Sequence, residues 1–115
     1  MNIAQLRRFA LSLPEATEEP HFEYSSFRVR GKIFATVPPG ADHIHVFVGE
    51  QTREAALAAE PDFLDELRWG KKIVGLRVLL TAAKAAVVND LLREAWARKA
   101  PKRLVATFAS RQSDT

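Results

Sequence analysis

The residues best suited to a chemical task in this sequence are clustered arginines and lysines. Residues 26–37 carry three cations and no acidic residue, and residues 67–77 and 98–111 are similarly basic, whereas residues 50–66 are strongly acidic. Such segregation of charge can create a basic face that attracts a polyanion. An equally simple interpretation is that strands at a sheet edge carry lysine and arginine to prevent aggregation between sheets.

The hypothesis of nucleic-acid binding gives these cations a specific task. A β-ribbon is narrow enough to approach a DNA groove, and arginine side chains can bind guanine or phosphate. The candidate contact residues are Arg28, Arg30, Lys32, Lys71, Lys72, Arg77, Lys102 and Arg103. The expected partner is double-stranded DNA, and contacts to its phosphates are independent of base sequence and sensitive to salt.

The remaining polar residues do not specify a reaction. His43 and His45 share one face of a predicted strand and could bind a metal ion with Asp42, but a polar strand surface explains them more simply. His21 and Glu23 could form an acid–base pair, yet no nucleophile accompanies them. The chain has no cysteine, which excludes disulfides and thiolate chemistry. We therefore expect no catalytic residue, no metal site and no cofactor.

Two aromatic residues each allow two interpretations. Trp69 is expected to pack against the core, but in a basic segment it could instead stack on a nucleobase. The side of the sheet on which Phe34 lies depends on the turn before it. A two-residue turn at Gly31–Lys32 places Phe34 in the core, whereas a three-residue loop places it beside Arg28 and Arg30.

The apolar spacing predicts the elements that position these residues. A helix, a meander of three strands, a second helix, one or two further strands and a final helix are expected. The predicted segments are helix 3–13, loop 14–25, strands 26–30, 32–37 and 43–48, helix 51–60, strand 74–80 and helix 82–99. Asn2 and Thr81 are expected to cap the first and last helices, and Pro14 and Pro101 to end them.

These elements predict an α+β fold. It has two layers, with an antiparallel sheet of about five strands and helices packed on one face, in the order α-β-β-β-α-β-β-α. A chain of 115 residues suits one domain, which we expect to cover residues 1–109 and to be followed by a frayed polar tail at 110–115. No signal peptide or membrane span is expected, so the protein is predicted to be cytoplasmic.

Several short segments together resemble the MmcQ/YjbR-like family of small bacterial proteins. The matching segments are Glu18–Phe22, Phe27–Val29, Gly31–Ala35, Trp69-Gly70 and Ala100–Leu104, and the resemblance covers about residues 3–106. It implies a compact α+β domain, likened to a double wing and to secretion-chaperone-like domains, with DNA binding as its expected function. It also directs attention to Lys32 and to the Lys102-Arg103 pair, and supplies no catalytic residues.

This chain departs from the family pattern at two places. His21 and Glu23 interrupt the expected Pro-Phe-Gly sequence, so that loop is expected to differ in shape. Residues 73–74 lack the tryptophan that is common at the start of the following strand. These departures leave the overall resemblance intact.

Three functions are therefore carried forward. The first is a non-enzymatic DNA-binding domain that contacts phosphates through its basic hairpins. The alternative is a protein-interaction or chaperone-like module, as a possible homodimer, which requires an exposed apolar patch. The third is a small-ligand binder, which requires a pocket with converging polar groups.

Overall fold

The computed structural model describes residues 1–40 and 42–113, and within them helices and strands follow one another closely. A 3-10 turn at Leu80–Ala82 separates the last strand from the third helix. The elements in chain order are α1 (Ile3–Ser12), β1 (Ala16–His21), β2 (Tyr24–Val29), β3 (Lys32–Val37), β4 (His43–Val46), α2 (Glu50–Ala59), β5 (Leu64–Trp69), β6 (Lys72–Leu79), α3 (Ala85–Lys99) and α4 (Lys102–Ser113).

The six strands form one sheet in the order β1-β2-β3-β4-β6-β5, and every neighbouring pair is antiparallel. The predicted α+β fold with an antiparallel sheet is confirmed, and so is the meander of β2, β3 and β4. The sheet has six strands where about five were expected. Consecutive strands pair throughout except at the crossing from β4 to β6, which helix α2 and strand β5 separate in the chain.

The hydrophobic core lies between the sheet and helices α1 and α3. Leu6 and Ala10 of α1 are fully buried, as is Leu92 of α3. The largest buried side chain, Trp96, also donates from Nε1 to the backbone oxygen of Pro14 at 3.0 Å. This bond satisfies the polar end of a buried indole, and so fixes α3 against the segment between α1 and β1.

Helix α1 begins as the sequence predicts. The Asn2 side chain accepts a hydrogen bond from the Gln5 backbone, and the Gln5 side chain accepts one from Asn2, both at 2.9 Å. This reciprocal capping box satisfies two backbone N–H groups that the first turn would otherwise leave unpaired. The predicted cap at Thr81 is wrong, because α3 starts after Lys84, without a side-chain cap.

The acidic segment predicted as a loop over residues 14–25 is wrong for most of its length. Residues Ala16–His21 form strand β1, which pairs with β2 from Ala16↔Val29 to His21↔Tyr24. Pro20 is tolerated because β1 is an edge strand, whose outer side needs no N–H donor. Ion pairs with arginine neutralise much of the acidic charge of this segment. Neither the proline nor the acidic charge therefore prevents β1 from pairing with β2.

The predicted hairpin is present, but its turn lies one residue earlier than expected. Val29 pairs with Lys32, so the turn residues are Arg30 and Gly31, both with positive φ, rather than Gly31–Lys32. Gly31 provides the left-handed conformation without strain, as a tight hairpin turn requires. A register shift between Phe27 and Arg28 follows, because a β-bulge lies opposite them in β3.

The bulge settles the position of Phe34. Its side chain is fully buried, and its ring centroid lies 6.5 Å from that of Phe27. Ile33 beside it is only half-buried. Phe34 therefore belongs to the core, and the interpretation that placed it beside Arg28 and Arg30 is wrong.

The C-terminal part contains two elements that the sequence did not predict clearly. Residues 64–69, to which the sequence assigned no element, form strand β5, which pairs with β6 from Leu64↔Val78 to Trp69↔Lys72. Helix α4 follows Pro101 and continues through Ser113, into the segment expected to be a polar tail. Phe108 of α4 packs edge-on against Trp96 with centroids 5.1 Å apart, so this helix has a contact with the core.

Candidate nucleic-acid interface

A cleft of about 770 Å³ runs along hairpin β2–β3 and is the first of two neighbouring depressions. We call it the aromatic cleft. Its lining is mostly apolar, with cationic side chains from the hairpin and from the end of α3. The residues that line it are His21, Phe22, Tyr24, Arg28, Gly31, Lys32, Ile33, Thr36, Phe47, Trp69 and Lys99.

A second depression of about 720 Å³ lies between hairpin β5–β6 and the ends of helices α2 and α3. We call it the basic cleft, because five of its lining side chains are cationic and Glu50 alone is acidic. Those cations are Arg53, Lys71, Lys72, Arg98 and Lys99. Phe47, Trp69 and Lys99 line both clefts, so the two depressions adjoin at these residues.

Tight turns place the lysines of both hairpins. In hairpin β5–β6, Trp69 pairs with Lys72, which leaves Gly70 and Lys71 as the turn, and Gly70 has a φ of 64°. In hairpin β2–β3, Lys32 is the first residue after the turn. Turn and strand-end positions expose long side chains to solvent, so Lys32, Lys71 and Lys72 are all exposed.

The structure separates the cations predicted from sequence into three groups. Lys32 and Arg28 line the aromatic cleft, and Lys71 and Lys72 line the basic cleft. The other four candidates line neither cleft: Arg30, Arg77, Lys102 and Arg103. Lys102 and Arg103 lie in the first turn of α4, and Arg77 lies on β6, where it pairs with His45 and Asp65.

Ion pairing distinguishes the lysines from the hairpin arginines. Arg30 donates from Nε and Nη2 to the Glu15 carboxylate at 2.5 and 3.1 Å, and the pair holds the pKa of Glu15 below its usual value. Arg28 lies 3.9 Å from the Glu19 carboxylate and also bonds to Ser26 Oγ at 2.9 Å. Within residues 1–40 and 42–113, Lys32, Lys71 and Lys72 make no ion pair. They are therefore free to meet an anion without first releasing a carboxylate.

Three further cations of the basic cleft were not singled out from the sequence. Arg53 lies on α2, and Arg98 and Lys99 end α3. Arg98 donates from Nη1 to the backbone oxygen of Phe47 at 3.1 Å, which ties the end of α3 to the end of β4. The excess of positive charge over residues 98–111 signalled Arg98 and Lys99, but only the path of α3 across the sheet brings them to the cleft.

Two large aromatic side chains project into solvent at the aromatic cleft. Phe22 is 93% exposed and its backbone has a φ of 58°, a left-handed conformation that is strained for a residue with a β-carbon. Trp69 is 58% exposed and packs edge-on against Phe47, with centroids 5.4 Å apart. Sequence reasoning favoured a packed Trp69, whereas its position at the end of β5 leaves most of the ring uncovered.

A row of polar side chains crosses the sheet beside the aromatic cleft. His45 is buried there, opposite Thr36 and Arg77, with Tyr24 and His43 against its ring. Burial, and after it the charges of His43 and Arg77, lowers the pKa of His45 to about 4. His45 is therefore neutral at pH 7. Among the described residues no three His, Asp or Glu side chains converge as metal ligands would.

The shifted pKa of His45 predicts a loss of stability in mild acid. Between pH 6.5 and about 4 the unfolded chain binds a proton at this position that the folded protein does not, so stability falls as the pH falls. We expect the free energy of unfolding in urea to be about 1–2 kcal/mol lower at pH 5 than at pH 7. The variant His45→Gln removes the titrating group and should lose most of this difference. An equal difference in the variant would assign the effect to other groups.

The described fold and clefts define a class: a small α+β domain with two hairpins flanking neighbouring aromatic and basic depressions. Comparison with family models matches residues 11–98 to the YjbR family. The match covers more than half of the chain, and the chain belongs to this family. A search of curated proteins finds no match. In the part of the chain that the structure describes, every helix is too short or too polar to cross a bilayer.

Proposed function

We propose that this protein is a non-enzymatic DNA-binding domain that holds the phosphate backbone at the aromatic and basic clefts. One observation carries the proposal. Among the described residues, six cations that make no ion pair converge on these two clefts from both hairpins and both helix ends, while Glu50 is the only acidic residue that lines either cleft. The converging cations are Lys32, Arg53, Lys71, Lys72, Arg98 and Lys99.

The physical basis is the release of counterions. A lysine that neutralises a phosphate displaces cations condensed on DNA, so each contact adds affinity that falls as salt rises. Lysines that make no ion pair with a carboxylate contribute this affinity without first breaking another interaction. Arg28 and Arg30 would first have to leave Glu19 and Glu15, so the proposal gives them a smaller share.

The other candidates keep a peripheral role in the proposal. Arg77, Lys102 and Arg103 would add to the surrounding positive potential, which speeds association rather than fixing the strand. A DNA-binding role also favours the cytoplasm as the compartment, as the sequence without cysteine suggests. Cytoplasmic location and a homodimer both stay predictions.

The proposal predicts salt-dependent binding that depends on the two hairpins. A labelled duplex of random sequence, titrated by fluorescence anisotropy across a range of salt, should bind with an affinity that falls steeply as salt rises. Lys72→Glu should weaken binding about ten-fold at low salt, and should reduce the slope of log K against log salt by about one. Lys32→Glu, on the opposite hairpin, should do the same.

The matched control is Arg8→Glu. Arg8 is exposed on α1, makes no ion pair among the described residues, lines neither cleft and gives the same change in net charge. Its effect should be small, because only the long-range potential changes. Absence of binding at low salt for duplex and single strand alike, or equal losses in Arg8→Glu and Lys72→Glu, would contradict the proposal.

A second candidate function, a protein-interaction module, is favoured by the exposure of Phe22 and Trp69. Side chains of this size at one cleft are typical anchors of an interface. Light scattering at rising protein concentration tests the homodimer directly. A dimer that Phe22→Ser disrupts, combined with no DNA binding, would favour this candidate over the first.

A further inference from the structure

We infer, resting on the proposed function, that the nucleic acid bound here is single-stranded, with an unpaired base stacked on Trp69 in the aromatic cleft. The first observation is the ring itself. Trp69 is large and apolar, yet it is 58% exposed, while Phe47 packs edge-on against it at a centroid distance of 5.4 Å. A largely exposed aromatic side chain that a neighbour holds in place is suited to base stacking.

The aromatic cleft has the composition that a nucleotide needs. Its volume of about 770 Å³ falls within the usual range of roughly 300–1,000 Å³ for small-ligand sites. Phe22, Ile33 and Phe47 supply apolar surface for a base, and Lys32 and Lys99 supply positive charge for the phosphates beside it. An anion without an aromatic part would leave the apolar surface uncovered.

The two clefts adjoin, and this gives the strand a path. Because Trp69 and Lys99 line both depressions, a base in the aromatic cleft places the neighbouring phosphates at the basic cleft. There Lys71, Lys72 and Arg98 line the depression and supply positive charge for successive phosphates. A positive groove that follows the backbone, combined with an aromatic platform, is the arrangement by which proteins hold single strands without reading their sequence.

A duplex does not satisfy the same site. In a double helix each base face is covered by its neighbours, so Trp69 could stack on a base only after that base had left the stack. Extruding a base costs a few kcal/mol, which the site would have to supply from its own contacts. A single strand pays little of this cost. The phosphate contacts are common to both forms, so the difference in affinity reports on the base.

The test compares a 12-residue oligothymidylate with a 12-base-pair duplex at the same salt concentration, by anisotropy. The single strand should bind about ten-fold more tightly than the duplex. Trp69→Ala should weaken binding of the single strand about ten-fold, leave duplex binding nearly unchanged, and leave the salt slope intact because no charge is removed. Trp69→Phe keeps an aromatic ring and should retain most of the affinity.

Fluorescence gives an independent readout. The chain has two tryptophans, and Trp96 is buried, so quenching by oligothymidylate should come from Trp69 and disappear in Trp69→Phe. Equal affinity for both forms, or equal losses for both in Trp69→Ala, would overturn the inference while the proposed function stood. No binding of either form would overturn both. Competition by thymidine monophosphate at micromolar concentration would overturn the inference in favour of a free nucleotide.

Discussion

Replacing Phe34 with alanine is expected to lower the free energy of unfolding by about 3–5 kcal/mol. The side chain is fully buried beside Phe27, and helix α3 packs against strand β3, which carries it. Truncation removes apolar contacts and leaves a cavity that the surrounding sheet cannot fill, so both terms act in the same direction. Urea unfolding followed by circular dichroism measures the loss.

The neighbouring residue provides the control. Ile33→Ala removes an aliphatic side chain from a half-buried position in the aromatic cleft, where solvent already reaches it. We expect a loss of about 1 kcal/mol or less. Equal losses for the two variants would mean that the register of the hairpin, and with it the assignment of Phe34 to the core, is wrong.

Gly75→Ala is the second change with a large expected effect, a loss of about 3 kcal/mol of stability. A β-carbon on Gly75 would collide with the backbone oxygen of Val46 and lie 3.1 Å from the α-carbon of Phe47. Strands β4 and β6 approach closely here, and both atoms belong to backbone that cannot rotate away. The variant should show a lower urea midpoint and faster amide exchange in β4 and β6.

Gly49→Ala is its matched control. A β-carbon at Gly49 would have as its nearest neighbour the Nε atom of Arg98 at 3.6 Å, an ordinary contact with a flexible side chain. Its φ of −75° suits any residue, so we expect a change within about 0.5 kcal/mol. If Gly75→Ala proved as stable as this control, the close approach of β4 and β6 would be refuted.

Local signals explain what was predictable of the fold. The capping box at Asn2, the alternation around Gly31 and the four-residue spacing of α3 each act within a few residues, and each appears in the structure. Strand β1 was missed because its pairing depends on a partner and on ion pairs outside it. Arg7 donates to Glu18 at 2.8 and 3.1 Å, eleven positions away in the chain.

Helix α4 was missed for a different reason. Pro101 was predicted to end the preceding helix, and that helix does end before it. Proline is also favoured at the start of a helix, because the first turn needs no N–H donor, and α4 begins directly after Pro101. The amphipathic pattern of residues 102–113 stabilises the helix only because Phe108 packs against Trp96. Sequence spacing alone does not supply that contact.

The residues of the candidate site likewise divide into those predictable from local sequence and those that depend on long-range packing. The exposure of Lys32, Lys71 and Lys72 was predictable because they lie in or directly beside hairpin turns. The ion pair of Arg30 with Glu15 was not predictable, since the sequence did not reveal strand β1. The presence of Lys99 and Trp69 at the same cleft required the long-range packing of α3 across the sheet, which no pattern of neighbouring residues encodes.

The junction between strands β3 and β4 divides the sheet into two halves, β1-β2-β3 and β4-β6-β5, and it is short. Its register pairs are Ala35↔Val46 and Thr36↔His45, and a hydrogen bond from Phe47 N to Phe34 O at 3.1 Å extends it. The pairings within each half of the sheet are longer. Ile33 lies on one half, and Phe47 and Trp69 lie on the other. The aromatic cleft therefore spans the junction of the sheet that has the fewest register pairs.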